Sequence, residues 1–431
     1  MKQKINIVTL GCSKNVVDSE HLAARFAAAG YGLAFDSNDT GAKIVIINTC
    51  GFIGDAKEES IDTILGFAQA RERGEIDRLY VIGCLSERYA DALRDEIPEV
   101  DRYFGARDFS GIIDELSAPA GQELSTERML STPPHYAWLK ISEGCDRRCG
   151  FCAIPLIRGN HVSVPMEELV AEAENLAAKG VRELIVIAQD TTYYGLDLYG
   201  ERRLAELLRR LCRIDGIEWI RLHYAYPAGF PQEVIDAMRE EPKICKYLDI
   251  PLQHISDNQL KSMKRGLGSR GTRELVAKFR AEIPGLALRT TMLVGYPGET
   301  EDDFEELLDF VREARFERLG VFPYSEEEGT YSAEKLNDDV PDSVKQRRAD
   351  RLMEVQAQVS AENNLKRVGT VEKVIVERRE GDFWVCRSQY DSPEVDTEIL
   401  IAADAELTPG IFITVRITAA ADYDLTAEIA E

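Results

Sequence analysis

A recurring alternation restricts the possible folds of this chain more than any other feature: strand-length apolar runs are followed by longer stretches of helical periodicity. Ile5–Leu10 (INIVTL), Ile44–Ile47 (IVII) and Leu79–Ile82 (LYVI) are unbroken apolar runs, as expected of parallel strands buried on both faces. Asp18–Ala29 and Ala56–Arg73, lying between them, are amphipathic. This order predicts an open parallel α/β domain over residues 1–118. Ala118–Pro134 (APAGQELSTERMLSTPP) has little apolar periodicity and reads as a linker or crossing segment. Over residues 131–365 the alternation resumes. Strands are expected at Tyr136–Ile141, Leu184–Ala188, Trp219–Tyr224, Tyr247–Leu252, Leu286–Val294 and Leu319–Tyr324. Helices fit at Met166–Lys179, Arg202–Arg213, Pro231–Arg239 and Thr300–Arg315. Six such units fall short of a closed eight-fold barrel, so a partial, TIM-like (β/α)6 barrel is expected, with its chemistry at the strand C-termini. A charged helix over Asp342–Lys366 then leads to short β-rich runs at Val371–Val376, Phe383–Cys386, Glu398–Ile401 and Ile411–Ile417. These predict a small antiparallel β-barrel over residues 367–431.

Charge excludes whole classes of function. With 52 Lys and Arg against 76 Asp and Glu, the net charge is −24 and the pI about 4.8, which argues against coating nucleic acid or an anionic membrane. No window approaches the roughly 20 apolar residues of a membrane span. The start, MKQKINIVTLGC, has too short an apolar run for a signal peptide. The expectation is a soluble, cytoplasmic protein with no membrane association.

Nine cysteines in a chain without an export signal point to metal ligation rather than crosslinking. Cys145, Cys149 and Cys152 form C-x3-C-x2-C (CDRRCGFC) just after a predicted strand. Three thiolates in one loop can hold three irons of a four-iron, four-sulfur cluster and leave the fourth open. An open iron can chelate the amino and carboxylate groups of S-adenosylmethionine and pass an electron to its sulfonium, releasing a 5′-deoxyadenosyl radical. The competing reading is a structural zinc loop completed by a distant Cys or by a His such as His161. Cys12, Cys50 and Cys84 lie 38 and 34 residues apart, yet each ends a predicted parallel strand (TLGC, INTC, VIGC). Loops at strand C-termini share one edge of an open α/β sheet, so the three could converge on a second cluster. They could equally be three small buried residues. Cys212, Cys245 and Cys386 lie in apolar-periodic segments and read as core filler.

The C-x3-C-x2-C spacing, with Phe151 before the last cysteine, resembles the radical S-adenosylmethionine superfamily over about residues 131–365. TLGCSKNVVDSE, NTCGFIGDAKEES and VIGC resemble the N-terminal domain of the methylthiotransferases; with a terminal barrel of the TRAM type, the likeness spans nearly the whole chain. The resemblance implies two [4Fe-4S] clusters, one on Cys12, Cys50 and Cys84 and one on Cys145, Cys149 and Cys152. It also implies S-adenosylmethionine as both methyl donor and radical source, with an electron donor and a sulfur source as partners.

Members of that family modify either a tRNA adenosine or an aspartate of ribosomal small-subunit protein twelve. SQYDSPEVD (Ser388–Asp396) and CAIPLIRGNHVS resemble the protein-modifying branch; Ser163-Val164 departs from the usual basic or Ser-Arg pair. From residue 367 to the end, six Lys and Arg face fourteen Asp and Glu, a net charge of −8. Such a domain repels RNA phosphates and attracts a basic ribosomal protein. Tyr390, Asp391, Glu394 and Asp396 are therefore the candidate docking residues, and tRNA adenosine is the alternative substrate. A non-catalytic iron–sulfur carrier or sensor would leave the six-strand pattern unexplained. Candidate cofactor-binding residues are Phe151, Gln189 and Asp190 (ending IVIAQD), Arg289 (in LALRTTMLVG) and Gly295 (in VGYPGET). Roles in packing or capping remain open for these, as they do for Gln253 and His254. His161 and His223 are single histidines without an assigned role, and no catalytic side chain is assigned.

Overall fold

The computed structural model describes residues 3–37, 41–119 and 124–430. Its first sheet consists of β1 (Lys4–Thr9), β2 (Gly32–Phe35), β3 (Ile44–Thr49), β4 (Arg78–Gly83) and β5 (Arg102–Tyr103), in the order β2-β1-β3-β4-β5 with every pairing parallel. The unbroken apolar runs follow from burial on both faces. Ile5, Ile7, Ile46 and Tyr80 pack against Phe26 of α1 (Ser13–Ala28). Val45, Ile47 and Val81 pack against Ile64 of α2 (Gly54–Glu72) and Leu93 of α3 (Cys84–Glu96). The edge strands β2 and β5, short and without an unbroken apolar run, were not expected from the sequence.

The second sheet adds β6 (Tyr136–Lys140), a ribbon of β7 (Ser142–Glu143) and β8 (Val162–Ser163), then β9 (Glu183–Ile187), β10 (Trp219–Leu222), β11 (Ile244–Asp249), β12 (Ala287–Val294) and β13 (Arg318–Pro323). Six strands in the order β13-β12-β11-β10-β9-β6 pair in parallel and do not close, which is the expected partial barrel. Alternation divides each strand. Leu139, Leu184, Val186, Ile220, Leu248 and Leu288 face the helices in the largest core. Tyr136, Trp138, Ile185 and Ile187 form an inner cluster with Val17 of α1, which places the first domain against the barrel interior.

Of the two readings, linker or crossing segment, the described part of the segment over 118–134 takes the second and straps the first domain to the barrel. Among its described residues, Arg128 is buried between Glu20 of α1 and Glu172 of the Met166–Ala178 helix, and Ser131 donates to Glu20; residues 120–123 lie outside the described residues. The helix Asp342–Leu365 then leads to β14 (Val371–Glu380), β15 (Phe383–Ser388), β16 (Ile399–Ala402), β17 (Phe412–Ala420) and β18 (Leu425–Ile429), closed in the order β14-β15-β16-β18-β17. Closure corrects the expectation of a wholly antiparallel barrel: β16 and β18 pair in parallel. Strand β18 (LTAEI) was missed because its alternating small and polar residues carry little apolar signal. Among the described residues no helix is long and apolar enough to cross a membrane.

Candidate functional site

Cys12, Cys50 and Cys84 sit on the loops that leave β1, β3 and β4, across the point where the strand order of the first sheet reverses. Cys12 is the N-cap of α1 and Cys84 opens α3, so both sulfurs lie at positive helix ends. Two glycines let these loops nest. Gly11, at φ 90°, leaves no room for a Cβ, which would stand 2.8 Å from Cys50 Sγ. Gly83, at φ 101°, abuts the Asn48 side chain and the Thr49 backbone. The sulfurs sense one another: burial pushes the Cys50 thiol up to about 11, with Cys12 and Cys84 adding to the rise. Burial likewise raises Cys84, against the pull of Arg158.

The second triad occupies the loop between β7 and the short helix Ile154–Ile157, at the C-terminal mouth of the partial barrel. Gly150 fastens this loop, donating to the Met263 carbonyl at 2.9 Å and accepting from the Ser332 amide at 2.9 Å. Burial pushes Cys145 to about 11 and Cys152 to about 12, each with a further contribution from Cys149. Arg265 donates to Cys149 Sγ at 3.2 Å and to the Pro251 carbonyl at 2.6 Å. Its guanidinium, like that of Arg147, lies on the Tyr226 ring.

Arg158 joins the two regions. It follows the barrel loop and is buried. It donates to Cys84 Sγ at 3.3 Å, Asp18 at 2.9 Å, Asn15 at 2.6 Å and Glu143 at 3.1 Å. Cys84 packs directly on Ala153 and Ile157, which follow Cys152. Lys140 pairs with both Asp18 and Glu143. Burial raises the Glu143 carboxyl, but Lys140 and Arg158 outweigh it and hold the group below its usual range. A second latch ties Lys57 and Arg88 of the first domain to buried Glu327 beyond β13.

The remaining predicted residues divide. Phe151 packs edge-on against Tyr296, ring centroids 6.4 Å apart, beside the cysteine loop. Gln189 donates to Glu143 at 2.6 Å and its buried Oε1 has no partner among the described residues. Asp190 is engaged within the protein, accepting from Arg147 at 2.8 Å and capping Thr192. Arg289 pairs with Asp249 at 3.1 Å and Asp396 at 3.5 Å on the barrel's inner face. Gly295, at φ 71°, is required by Lys345, whose Cγ would stand 2.2 Å from an added Cβ; its close neighbour is this side chain, not a ligand. His161 bonds Ser163 at 3.1 Å and His223 bonds Ser392 at 3.0 Å. Among the described residues no three His, Cys, Asp or Glu stand close enough to hold a single metal ion. Cys212, Cys245 and Cys386 are all buried in cores.

Docking through SQYDSPEVD needs correction. Asp391 is fully buried, paired with Arg318 and Arg367. Asp396 accepts from the Tyr247 hydroxyl at 2.7 Å, and Tyr390 packs with Trp219 and Ile375. Glu394 is exposed but accepts from the Tyr136 hydroxyl at 2.8 Å. The segment seals the terminal barrel onto the inner face of the partial barrel. Sequence reasoning also missed Lys14, Asp18, Lys140, Glu143, Arg158 and Arg265. The available signal was a charged residue inside an apolar setting, as in YAWLKIS and AIPLIRG.

Residues 139–311 match the radical SAM superfamily, residues 4–105 the uncharacterized protein family UPF0004 and residues 368–430 the TRAM domain. The fold resembles the radical S-adenosylmethionine methyltransferase TsrM of Kitasatospora setae (TM-score 0.55, 16% identity, 75% of this chain and 72% of that one). It also resembles OxsB, a cobalamin-dependent S-adenosylmethionine radical enzyme (TM-score 0.50, 13% identity, 83% and 56%). A partial parallel barrel with a C-x3-C-x2-C loop at its C-terminal mouth defines a radical S-adenosylmethionine enzyme, a class that works with an iron–sulfur cluster and S-adenosylmethionine. The ribosomal protein uS12 methylthiotransferase RimO of Phocaeicola vulgatus is 53% identical over 99% of both chains. That of Christiangramia forsetii is 54% identical over 99% of this chain and 94% of its own. The chain belongs to the RimO family of methylthiotransferases.

Proposed function

We propose that this enzyme places a methylthio group on the β-carbon of an aspartate in ribosomal protein uS12. It would do so in the cytoplasm with two [4Fe-4S] clusters, S-adenosylmethionine, an electron donor and a sulfur source. The observation that carries the reading is the meeting of two cysteine triads at one barrel mouth, with Arg158 reaching from the barrel loop to Cys84. Domains over residues 1–118, 131–365 and 367–431 then divide the work.

The residues present fit the implied clusters. Each triad supplies three thiols, and one arginine donates to a sulfur of each, Arg158 to Cys84 and Arg265 to Cys149. Ser13, next to Cys12, and Ser86, two residues after Cys84, keep buried hydroxyls without partners among the described residues, available to acceptor sulfurs. When bound, the clusters and S-adenosylmethionine supply a carbon radical able to take hydrogen from an unactivated methylene, and the sulfur that replaces it. The chain's own part is to hold, orient and exclude water. Arg158 and Lys140 fix α1 over the mouth, while Tyr136, Trp138 and Ile185 give the inner face a dry wall. Gln189 Oε1, buried and without a partner among the described residues, is available to orient a ligand there, whereas Arg289 is committed to Asp249 and Asp396. A basic partner is supported by Glu380, Asp382, Asp404, Glu406, Asp422 and Asp424, which are exposed on the terminal barrel.

The test replaces each triad by alanine in the full chain. Each triple variant should retain about four irons instead of about eight. Deoxyadenosine formation should disappear only when Cys145, Cys149 and Cys152 are lost. Full iron content in the Cys12, Cys50, Cys84 variant would refute the two-cluster reading.

A further inference from the structure

Lys14 is a buried cation that the proposed reaction leaves unused. It is the second residue of α1, two positions after Cys12, and only 7% exposed. Its Nζ stands 3.1 Å from the centroid of the Tyr224 ring, and among the described residues no carboxylate lies within 4.0 Å of it. The carboxylates of this region are engaged elsewhere. Asp18 holds Lys140 and Arg158; Asp249 holds Arg289 and the Tyr224 amide. The cation at the other triad, Arg265, is taken up by Cys149 and the Pro251 carbonyl.

An ammonium drawn partly out of water gains from an anion or a π face beside it. Here the π face is present and the anion is not. Tyr224 lies two residues past the C-terminal end of β10, and its backbone adopts φ 55°, in the left-handed region. The ring is therefore held at the barrel mouth, and Lys14 lies over it. Burial, with Arg289 and Arg221, holds the neighbouring His223 imidazole well below its usual range, and Lys14 adds to that lowering. A cation with no carboxylate partner among the described residues thus stands over a ring next to a barrel strand's C-terminal end, two positions from Cys12.

We propose that Lys14 holds the side-chain carboxylate of the target aspartate and thereby presents its β-carbon to the N-terminal triad. This rests on the aspartate-modifying reading above. The β-carbon is one carbon–carbon bond, about 1.5 Å, from the carboxylate carbon, so fixing the carboxylate nearly fixes the reacting atom. Because Lys14 and Cys12 share the first turn of α1, that atom lies on the side of the mouth where sulfur would be delivered. A charged hydrogen bond in a dry site also separates aspartate from its neutral isostere asparagine.

The test is an anaerobic binding titration of cluster-loaded, full-length enzyme with S-adenosylmethionine. The ligand is ribosomal protein uS12, either unchanged or with the target aspartate replaced by asparagine. Unsubstituted enzyme should prefer the aspartate form about ten- to a hundred-fold. Lys14→Gln should reduce that preference to about two-fold or less, and Lys14→Arg should restore most of it. If unsubstituted enzyme does not discriminate, the proposal is overturned without any enzyme variant. It is also overturned if Lys14→Gln weakens both forms equally, which would assign the ammonium to the charge of the N-terminal cluster. If neither form binds the unsubstituted enzyme, the aspartate reading fails and the inference fails with it.

Discussion

Replacing Arg158 by methionine removes a side chain that touches both cysteine-bearing regions while keeping most of its volume. The side chain is 2% exposed and donates to Asp18, Asn15, Glu143 and Cys84. Removing one partner of a buried ion pair costs about 3–5 kcal/mol, because the other charge is left desolvated. Asp18 and Glu143 each keep Lys140, so the lower end applies, about 3 kcal/mol. That energy is lost from the contact between α1 and the barrel, which should open on the order of a hundred-fold more often. Hydrogen exchange reads this directly. The Asn15 and Val16 amides, bonded to the Cys12 carbonyl at 2.9 and 3.3 Å, should exchange about a hundred-fold faster, while β9 and β10 remain protected. Exchange within about three-fold of the unsubstituted chain would refute the claim that Arg158 joins the two regions.

Three further outcomes follow from the same geometry. Gly11→Ala forces a Cβ to 2.6 Å from Cys50 Cβ on a backbone at φ 90°; the variant should lose the N-terminal cluster and retain about four irons, and retention of about eight would count against the convergence of Cys12 and Cys50. The thiols of Cys50 and Cys145 are raised by burial from an ordinary 9.0 to about 11. Stability gained by keeping them protonated is therefore complete below about pH 9 and lost toward pH 11; the denaturation midpoint of the cluster-free chain should fall across that window, and a flat profile would contradict the burial argument. Arg387→Met leaves Glu183 and Glu377 desolvated at the seam of the terminal barrel, a loss of about 3 kcal/mol. Limited proteolysis should then release a fragment cut near residue 369, and unchanged resistance would show that the seam is held elsewhere.

How much was legible depended on the range of each interaction. Ile44–Ile47 and Leu79–Ile82 announced their strands because both sheet faces are buried, so every position had to be apolar. Gly32–Phe35 lies at the sheet edge, and Leu425–Ile429 is half solvated with an alternation too poor in large apolar residues to stand out. CDRRCGFC was readable because its three cysteines serve one loop. The arginines that serve the triads were not, since Arg158 reaches Cys84 across 74 residues and Arg265 reaches Cys149 across 116. The same limit explains SQYDSPEVD. Read alone it is an exposed acidic stretch; the partners that bury it, Arg318, Arg289 and Tyr247, come from separate barrel strands.

The most direct measurement is an anaerobic turnover of the cluster-loaded enzyme with reductant, sulfide and S-adenosylmethionine. Ribosomal protein uS12 and bulk tRNA would be offered together, with mass spectrometry of both. The account predicts a methylthio mass gain on one aspartate of the protein and none on the tRNA. A gain on tRNA adenosine with the protein unchanged would contradict it.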